Sequence, residues 1–226
     1  MKDTGFSIWL LLVGVILVTV FTYSFFEITE GFLESEINSF DTIILEVLDP
    51  IGGYIRIKWM MFITELGSVW FLTTMSVICI LIIWLGKRDI WAISFFIIAV
   101  GGGGLLIRML KYIYQRERPS INSEIDAIGY SFPSGHGMGS LIFYGFLTYI
   151  ILGNIKSKAI KWSTVILVSI LLLLIGLSRV YLGAHYPSDV VAGYLAGAVC
   201  LMINIIALEW LKIQSQNKNS TKSMNI

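Results

Sequence analysis

Six stretches of this chain run without a charged residue for long enough to cross a bilayer: Ser7 to Phe26, Leu66 to Gly86, Ile90 to Ile107, Gly137 to Ile155, Trp162 to Ser178 and Val190 to Leu208. A spanning helix needs about 20 mainly apolar residues. In hydrocarbon every backbone N–H and C=O must be satisfied within the protein, so continuous helices are the form such runs take. The short alternating pattern of a membrane β-barrel is missing. The sequence therefore predicts an all-α membrane protein, six transmembrane helices in one bundle. Composition agrees: 14% of residues are charged, against about 25% in soluble domains. A net charge of +1 gives no reason to expect a nucleic-acid partner. Cys79 and Cys200 both fall inside apolar runs and read as small buried hydrophobes. The first run exceeds a signal-peptide core, and Phe25, Phe26 and Glu27 follow it where a small-x-small cleavage site would stand. It reads as an uncleaved first helix.

Residues 1–212 form one domain on this reading, and the Lys-, Gln-, Ser- and Asn-rich residues 213–226 are expected to be a disordered cytoplasmic tail. With the N-terminus in the cytoplasm, nine of the 16 Lys and Arg residues fall on that side. Both termini are then inside, and the links bearing His136 and His185 are outside, on the cell membrane's external face. The first external segment, Glu27 to Glu65, holds eight of the 15 acidic residues. Within it, Asp41 to Leu48 and Ile51 to Thr64 are expected as short interfacial helices. They would cover helix ends; a lateral door for a lipid is the functional alternative. The run Gly101-Gly102-Gly103-Gly104 predicts close helix packing, with a bend as the alternative.

Three polar links interrupt the second half. In the first, Lys111 and Arg118 are seven apart and would share a helix face until Pro119 stops the helix. A membrane-edge anchor is the plain reading of such a cluster. In the second, Ser134 suits a helix N-cap and Gly135 permits close backbone approach; a capped turn with no ligand is the plain reading. In the third, Arg179 and His185 precede Pro187, which suits a first helical turn, and Asp189 comes four residues after His185. His136 and His185 are the chain's two histidines.

Should these links converge, three cations and a helix N-terminus make an anion site. Two histidines and a carboxylate allow a nucleophile, its orienting partner and a separate acid. Zinc on the same histidines and Asp189 is the chemical rival. Three neighbouring cations oppose a divalent ion, so no metal and no cofactor are expected.

The motifs Lys111-x6-Arg118-Pro119, Pro133-Ser134-Gly135-His136 and Ser178-Arg179-x5-His185-x3-Asp189 resemble the three signatures of the type 2 phosphatidic acid phosphatase family. All three are complete and in order. The six spans resemble that family's integral-membrane bacterial branch. The resemblance implies a lipid phosphatase in which His185 attacks phosphorus to form a phosphohistidine and Asp189 holds its other ring nitrogen. It implies that His136 protonates the leaving oxygen and then activates water. Lys111, Arg118 and Arg179, with Ser134 and the backbone N–H groups of Gly135 and His136, would bind the phosphoryl oxygens. Phosphatidylglycerol phosphate is the implied substrate, undecaprenyl diphosphate the next and phosphatidic acid a further one. A phosphotransferase using the same histidine is the alternative enzyme; a transporter is more distant, because the spans carry no mid-membrane charge.

Overall fold

A computed structural model describes residues 4–33, 37–48, 54–86, 88–119 and 129–224. The described residues form helices α1 (Thr4–Leu33), α2 (Asn38–Leu48), α3 (Tyr54–Glu65), α4 (Val69–Gly86), α5 (Ile90–Tyr114), α6 (Gly135–Leu152), α7 (Lys158–Tyr181) and α8 (Pro187–Met224). Six stretches among them are long and apolar enough to span: Leu12–Leu33, Ile57–Gly86, Ile90–Tyr114, Gly135–Leu152, Lys158–Tyr181 and Pro187–Ser215. The architecture is an all-α membrane fold, as the apolar runs predict.

Short polar side chains set the helix starts. Asp89, Ser134 and Ser157 each accept a hydrogen bond from a backbone N–H three residues on, at Ala92, Gly137 and Ile160, satisfying a donor that the first turn leaves open. α5 ends earlier than expected. Gln115 takes a left-handed conformation, with φ 46°, and its N–H returns to the Lys111 carbonyl. Residues 115–118 leave the helix before Pro119 is reached. Lys111 and Arg118 are therefore not partners on one helix face, and Arg118 is placed by the following link. That link is held by Ser131, whose N–H donates to the Arg116 carbonyl at 2.8 Å.

The short helix expected over Ile51 to Thr64 is present as α3, residues 51–53 lying outside the described residues. It runs through one tight turn into α4, because the N–H groups of Leu66, Gly67 and Ser68 bond back to the carbonyls of Ile63, Thr64 and Glu65. The C-terminal helix extends to Met224. Its polar end lacks an apolar stripe, but no Gly or Pro follows Gly197 to break the backbone.

α6 lies at the centre, packed against α4, α5, α7 and α8, with α1 against α8. Phe96, Met138, Ile142 and Phe146 fill the interior, while Trp70, Leu85 and Leu173 face outward as lipid-exposed side chains do. Lipid tails are as apolar as leucine, so helices in a membrane gain contact by close backbone approach at small residues. α8 supplies that with Gly193-x3-Gly197. A Cβ at Gly193 would lie 2.6 Å from the backbone oxygen of Ser134, and one at Gly197 would lie 3.0 Å from that of Met138. The glycine quartet of α5 behaves differently. Gly103 meets Ile142, whereas a Cβ at Gly101, Gly102 or Gly104 meets nothing within 4 Å. The packing expected of all four is present at one.

Gly193→Ala is expected to lower the thermal midpoint by several degrees, as overpacking costs about 1–3 kcal/mol, and to reduce activity with it. Gly101→Ala is expected to match or slightly exceed the parent, since alanine gains up to about 1 kcal/mol in a helix interior. Thermal unfolding of both purified proteins in one detergent checks the pair.

Candidate active site

The N-terminus of α6 and that of α8 are tied together, because the Ser134 N–H donates to the Asp189 carbonyl at 2.9 Å. Ser134 caps α6, and the first-turn N–H groups after it, at Gly135 and His136, are of the kind a helix leaves without internal acceptors. His136 rises from that turn against the α3–α4 corner. A Cβ at Gly67 would lie 3.2 Å from His136 Cδ2 and 2.7 Å from Ile175 Cγ2, so the corner comes this close only because residue 67 is glycine.

The α7–α8 link turns at Gly183, φ 70°, and carries His185 back over the end of α7, where its N–H meets the Arg179 carbonyl at 3.3 Å. His185 is buried, at 2% exposure, and Asp189 is wholly so. The Asp189 Oδ2 accepts from the Tyr186 N–H at 2.9 Å and stands 3.5 Å from His185 Nδ1. That separation is slightly beyond a hydrogen bond, in the range catalytic pairs show before substrate tightens them. Burial pushes the His185 imidazole from its usual 6.5 down to about 4; the charges of Arg179 and Lys111 act in the same sense, and Asp189 opposes them. His185 is thus a neutral imidazole with a carboxylate behind it across the neutral range.

Cations surround the pair. Arg179 Nη1 donates to Thr64 Oγ1 at 2.8 Å. Arg118 donates from Nε to the Gly129 carbonyl at 2.9 Å and from Nη1 to the Ala184 carbonyl at 2.5 Å. The Lys111 ammonium donates to the Tyr130 carbonyl. Burial lowers the Arg118 guanidinium from its ordinary value, with Asp189 offsetting part of this, and it stays charged. His136 lies within electrostatic reach of Arg179, His185, Lys111 and Arg118. The eight residues singled out in the sequence thus gather at one end of the bundle.

Two buried nitrogens there, Arg179 Nε and His185 Nδ1, meet no hydrogen-bond partner among the described residues. Buried donors without partners are costly in a folded protein. Here one belongs to a cation aimed among other cations, which is the electrostatic signature of a place for an anion.

Sequence reasoning missed four contributors. Arg116 donates from Nη1 to Asp189 Oδ1 at 2.7 Å and to Ser188 Oγ at 2.8 Å, and from Nη2 to Asp41 Oδ2 at 2.8 Å. Ser188 returns two hydrogen bonds to Asp41, through N at 2.9 Å and through Oγ at 2.7 Å. Thr64 supports Arg179 from α3. Arg116 stood in plain view between Lys111 and Arg118, and a charge in a short link of an apolar chain was the signal to follow.

A family model described as the PAP2 superfamily matches residues 90–212. The chain is 30% identical to phosphatidylglycerophosphatase B of Bacillus subtilis over 167 residues, which is 70% of this chain and 80% of that protein. It is 31% identical to an undecaprenyl-diphosphatase of Sulfolobus acidocaldarius over 118 residues, 50% of this chain and 51% of that one. Among solved structures, a transmembrane PAP2 type phosphatidylglycerolphosphate phosphatase from Bacillus subtilis superposes with a TM-score of 0.78 at 24% identity, covering 87% of this chain and 96% of the other.

Proposed function

Because the chain belongs to the PAP2 superfamily of membrane lipid phosphatases, we propose that it hydrolyses the phosphate of phosphatidylglycerol phosphate, and next undecaprenyl diphosphate, through a phosphohistidine at His185. The observation that carries this reading is the buried His185–Asp189 pair, 3.5 Å apart, facing Lys111, Arg118 and Arg179 beside the capped start of α6. Relatives named for these two substrates support the choice.

The chemistry proceeds in two displacements. The ring nitrogen of His185 remote from Asp189 attacks phosphorus, and a P–N bond forms as the P–O bond to the lipid breaks. Asp189 faces Nδ1 and stabilises the positive charge that the ring gains. His136 gives its proton to the departing lipid oxygen, then removes one from water as that water attacks phosphorus and the P–N bond breaks. Inorganic phosphate leaves and His185 is neutral again. Phosphoryl transfer spreads charge over the three equatorial oxygens, so cations fixed around them lower the barrier. Lys111, Arg118 and Arg179 fill that role, with Ser134 and the N–H groups of Gly135 and His136 completing the cradle.

Lipid specificity follows from position. The site lies where α5 and α7 end and α6 and α8 begin, at the edge of the spans, so a lipid keeps its tails in the bilayer while its phosphate reaches His185. The opposite end carries Arg88, Lys156, Lys158, Lys161 and Lys212. That bias supports a cytoplasmic location for both termini and an external location for the site; reporter fusions at either terminus check it.

The test is phosphate release from a panel of lipid phosphates in mixed micelles: phosphatidylglycerol phosphate, undecaprenyl diphosphate and phosphatidic acid, each with and without an added alcohol acceptor. The highest kcat/KM is expected with phosphatidylglycerol phosphate and water. A larger value for another lipid removes the proposed preference. Transfer to the alcohol in place of release would make the protein a phosphotransferase.

A further inference from the structure

The geometry points to Arg116 and Asp41 as positioning residues for the reaction: a guanidinium clamped between two carboxylates and two aromatic rings holds Asp189 at His185. This rests on the phosphohistidine reading above. Three observations carry it. First, Asp189 divides its oxygens. Oδ2 faces Tyr186 N–H and His185 Nδ1, while Oδ1 accepts from Arg116 at 2.7 Å. A carboxylate held at both oxygens cannot rotate, so the direction from which it meets the imidazole is fixed.

Second, Arg116 is itself immobilised. Its Cζ stands 4.6 Å from the Phe32 ring centroid and 4.1 Å from that of Tyr186, contacts that suit a planar, weakly hydrated cation. Asp41 takes its other terminal nitrogen, and Asp41 is held in turn by both Ser188 N and Ser188 Oγ. The side chains of Arg116, Asp41 and Asp189 are 6%, 3% and 0% exposed. These groups come from α1, α2, the α5–α6 link, the α7–α8 link and the start of α8, so the placement of Asp189 depends on all five segments.

Third, the charges balance around the clamp. Asp189 is faced by His185, Arg116, Lys111 and Arg118, and Asp41 by Arg116. Among the described residues, Arg116 alone touches both carboxylates. Without it, two buried carboxylates lose their shared counter-charge, and a buried charge without its partner is among the most costly defects a fold carries. An Asp189 that took up a proton to relieve this could no longer accept from the His185 ring.

The test is a cycle of variants assayed in mixed micelles with phosphatidylglycerol phosphate, with turnover expressed per mole of protein that unfolds cooperatively. Arg116→Gln is expected to lower kcat about 10- to 100-fold, by analogy with the loss of the group that orients a metal-bound histidine, with KM nearly unchanged. In the Asp189→Asn background the same change is expected to cost less than about threefold, because partners in one network do not add. Arg116→Lys is expected to recover only part of the loss, since an ammonium lacks the two-pronged fork. Should the Arg116 variants not fold, Asp41→Asn carries the same cycle: it keeps the shape, removes one charge, and is expected to lower kcat several-fold in the parent and to be silent with Asp189→Asn. Equal losses in both backgrounds, or an effect confined to KM, overturn the inference. An Asp189→Asn protein with parental turnover would instead overturn the phosphohistidine reading.

Discussion

Phosphate release by the His185→Ala protein is expected to fall by about 10⁴-fold or more, as it does when a covalent nucleophile is removed. The reason is specific to this imidazole. His185 is 2% exposed, lies 3.5 Å from the Asp189 carboxylate, and is held neutral down to about pH 4 by burial. No other described side chain combines a carboxylate behind the ring with cations before it. The parent should form a phosphoenzyme that survives alkali and is lost in acid, as phosphoramidates are; the variant should form none. A variant that still traps label places the covalent step elsewhere.

The pH profile gives an independent reading of the same group. Attack needs the neutral ring, so kcat/KM should rise as pH increases through about 4, the value to which burial lowers His185, and not through its usual value near 6.5. Stability shifts in the same sense. Between about 4 and 6.5 the unfolded chain binds a proton at residue 185 that the folded chain does not. Stability therefore increases with pH across that window and is lost as pH falls through it. Activity and thermal unfolding measured over pH 3.5 to about 8 should show both effects; an acid limb centred near 6.5 would assign the limiting protonation to another group.

His136→Ala carries the second large effect, and it depends on the leaving group. General acid–base assistance contributes about 10²- to 10⁴-fold. A lipid alkoxide leaves poorly without a proton, so turnover on the lipid phosphate should fall by about that factor. A nitrophenyl phosphate expels a stable phenolate and needs no proton, so its first step should be nearly spared. Water activation would still be lost. The variant should then release one equivalent of nitrophenolate in a burst and accumulate phosphoenzyme. Equal losses on both substrates with no burst would remove His136 from the role of acid and base.

The spans were legible because hydrocarbon allows few backbone solutions. Charge-free runs alone placed α4 to α8. The residues of the three motifs were legible for a related reason: Lys111, Arg118, His136, Arg179, His185 and Asp189 are conspicuous where charge is scarce. The supports were not. Asp41 looks like any acid in a short amphipathic helix, and only the folded chain sets it 2.8 Å from Arg116. Thr64 is an ordinary threonine until Arg179 reaches it. The end of α5 was misjudged because Pro119 is a strong stop and Gln115 a weak one; the left-handed turn at Gln115 is stabilised by the Lys111 carbonyl and the link beyond it, contacts that local propensity does not contain.

The rings of Phe32 and Tyr186 that flank Arg116 lie on segments at opposite ends of the sequence. The family match begins at residue 90, and every signature residue lies beyond that point. A fragment starting there would retain the whole catalytic vocabulary yet lack Phe32, Asp41 and Thr64. The phosphate would find its ligands and Asp189 would keep Arg116 and the Tyr186 N–H, but Arg116 would lose Asp41 and Phe32, two of the groups that hold it against the aspartate. The reaction is in this sense a property of the complete helical assembly, and transplanting the three signatures into another bundle would carry the residues across without their alignment.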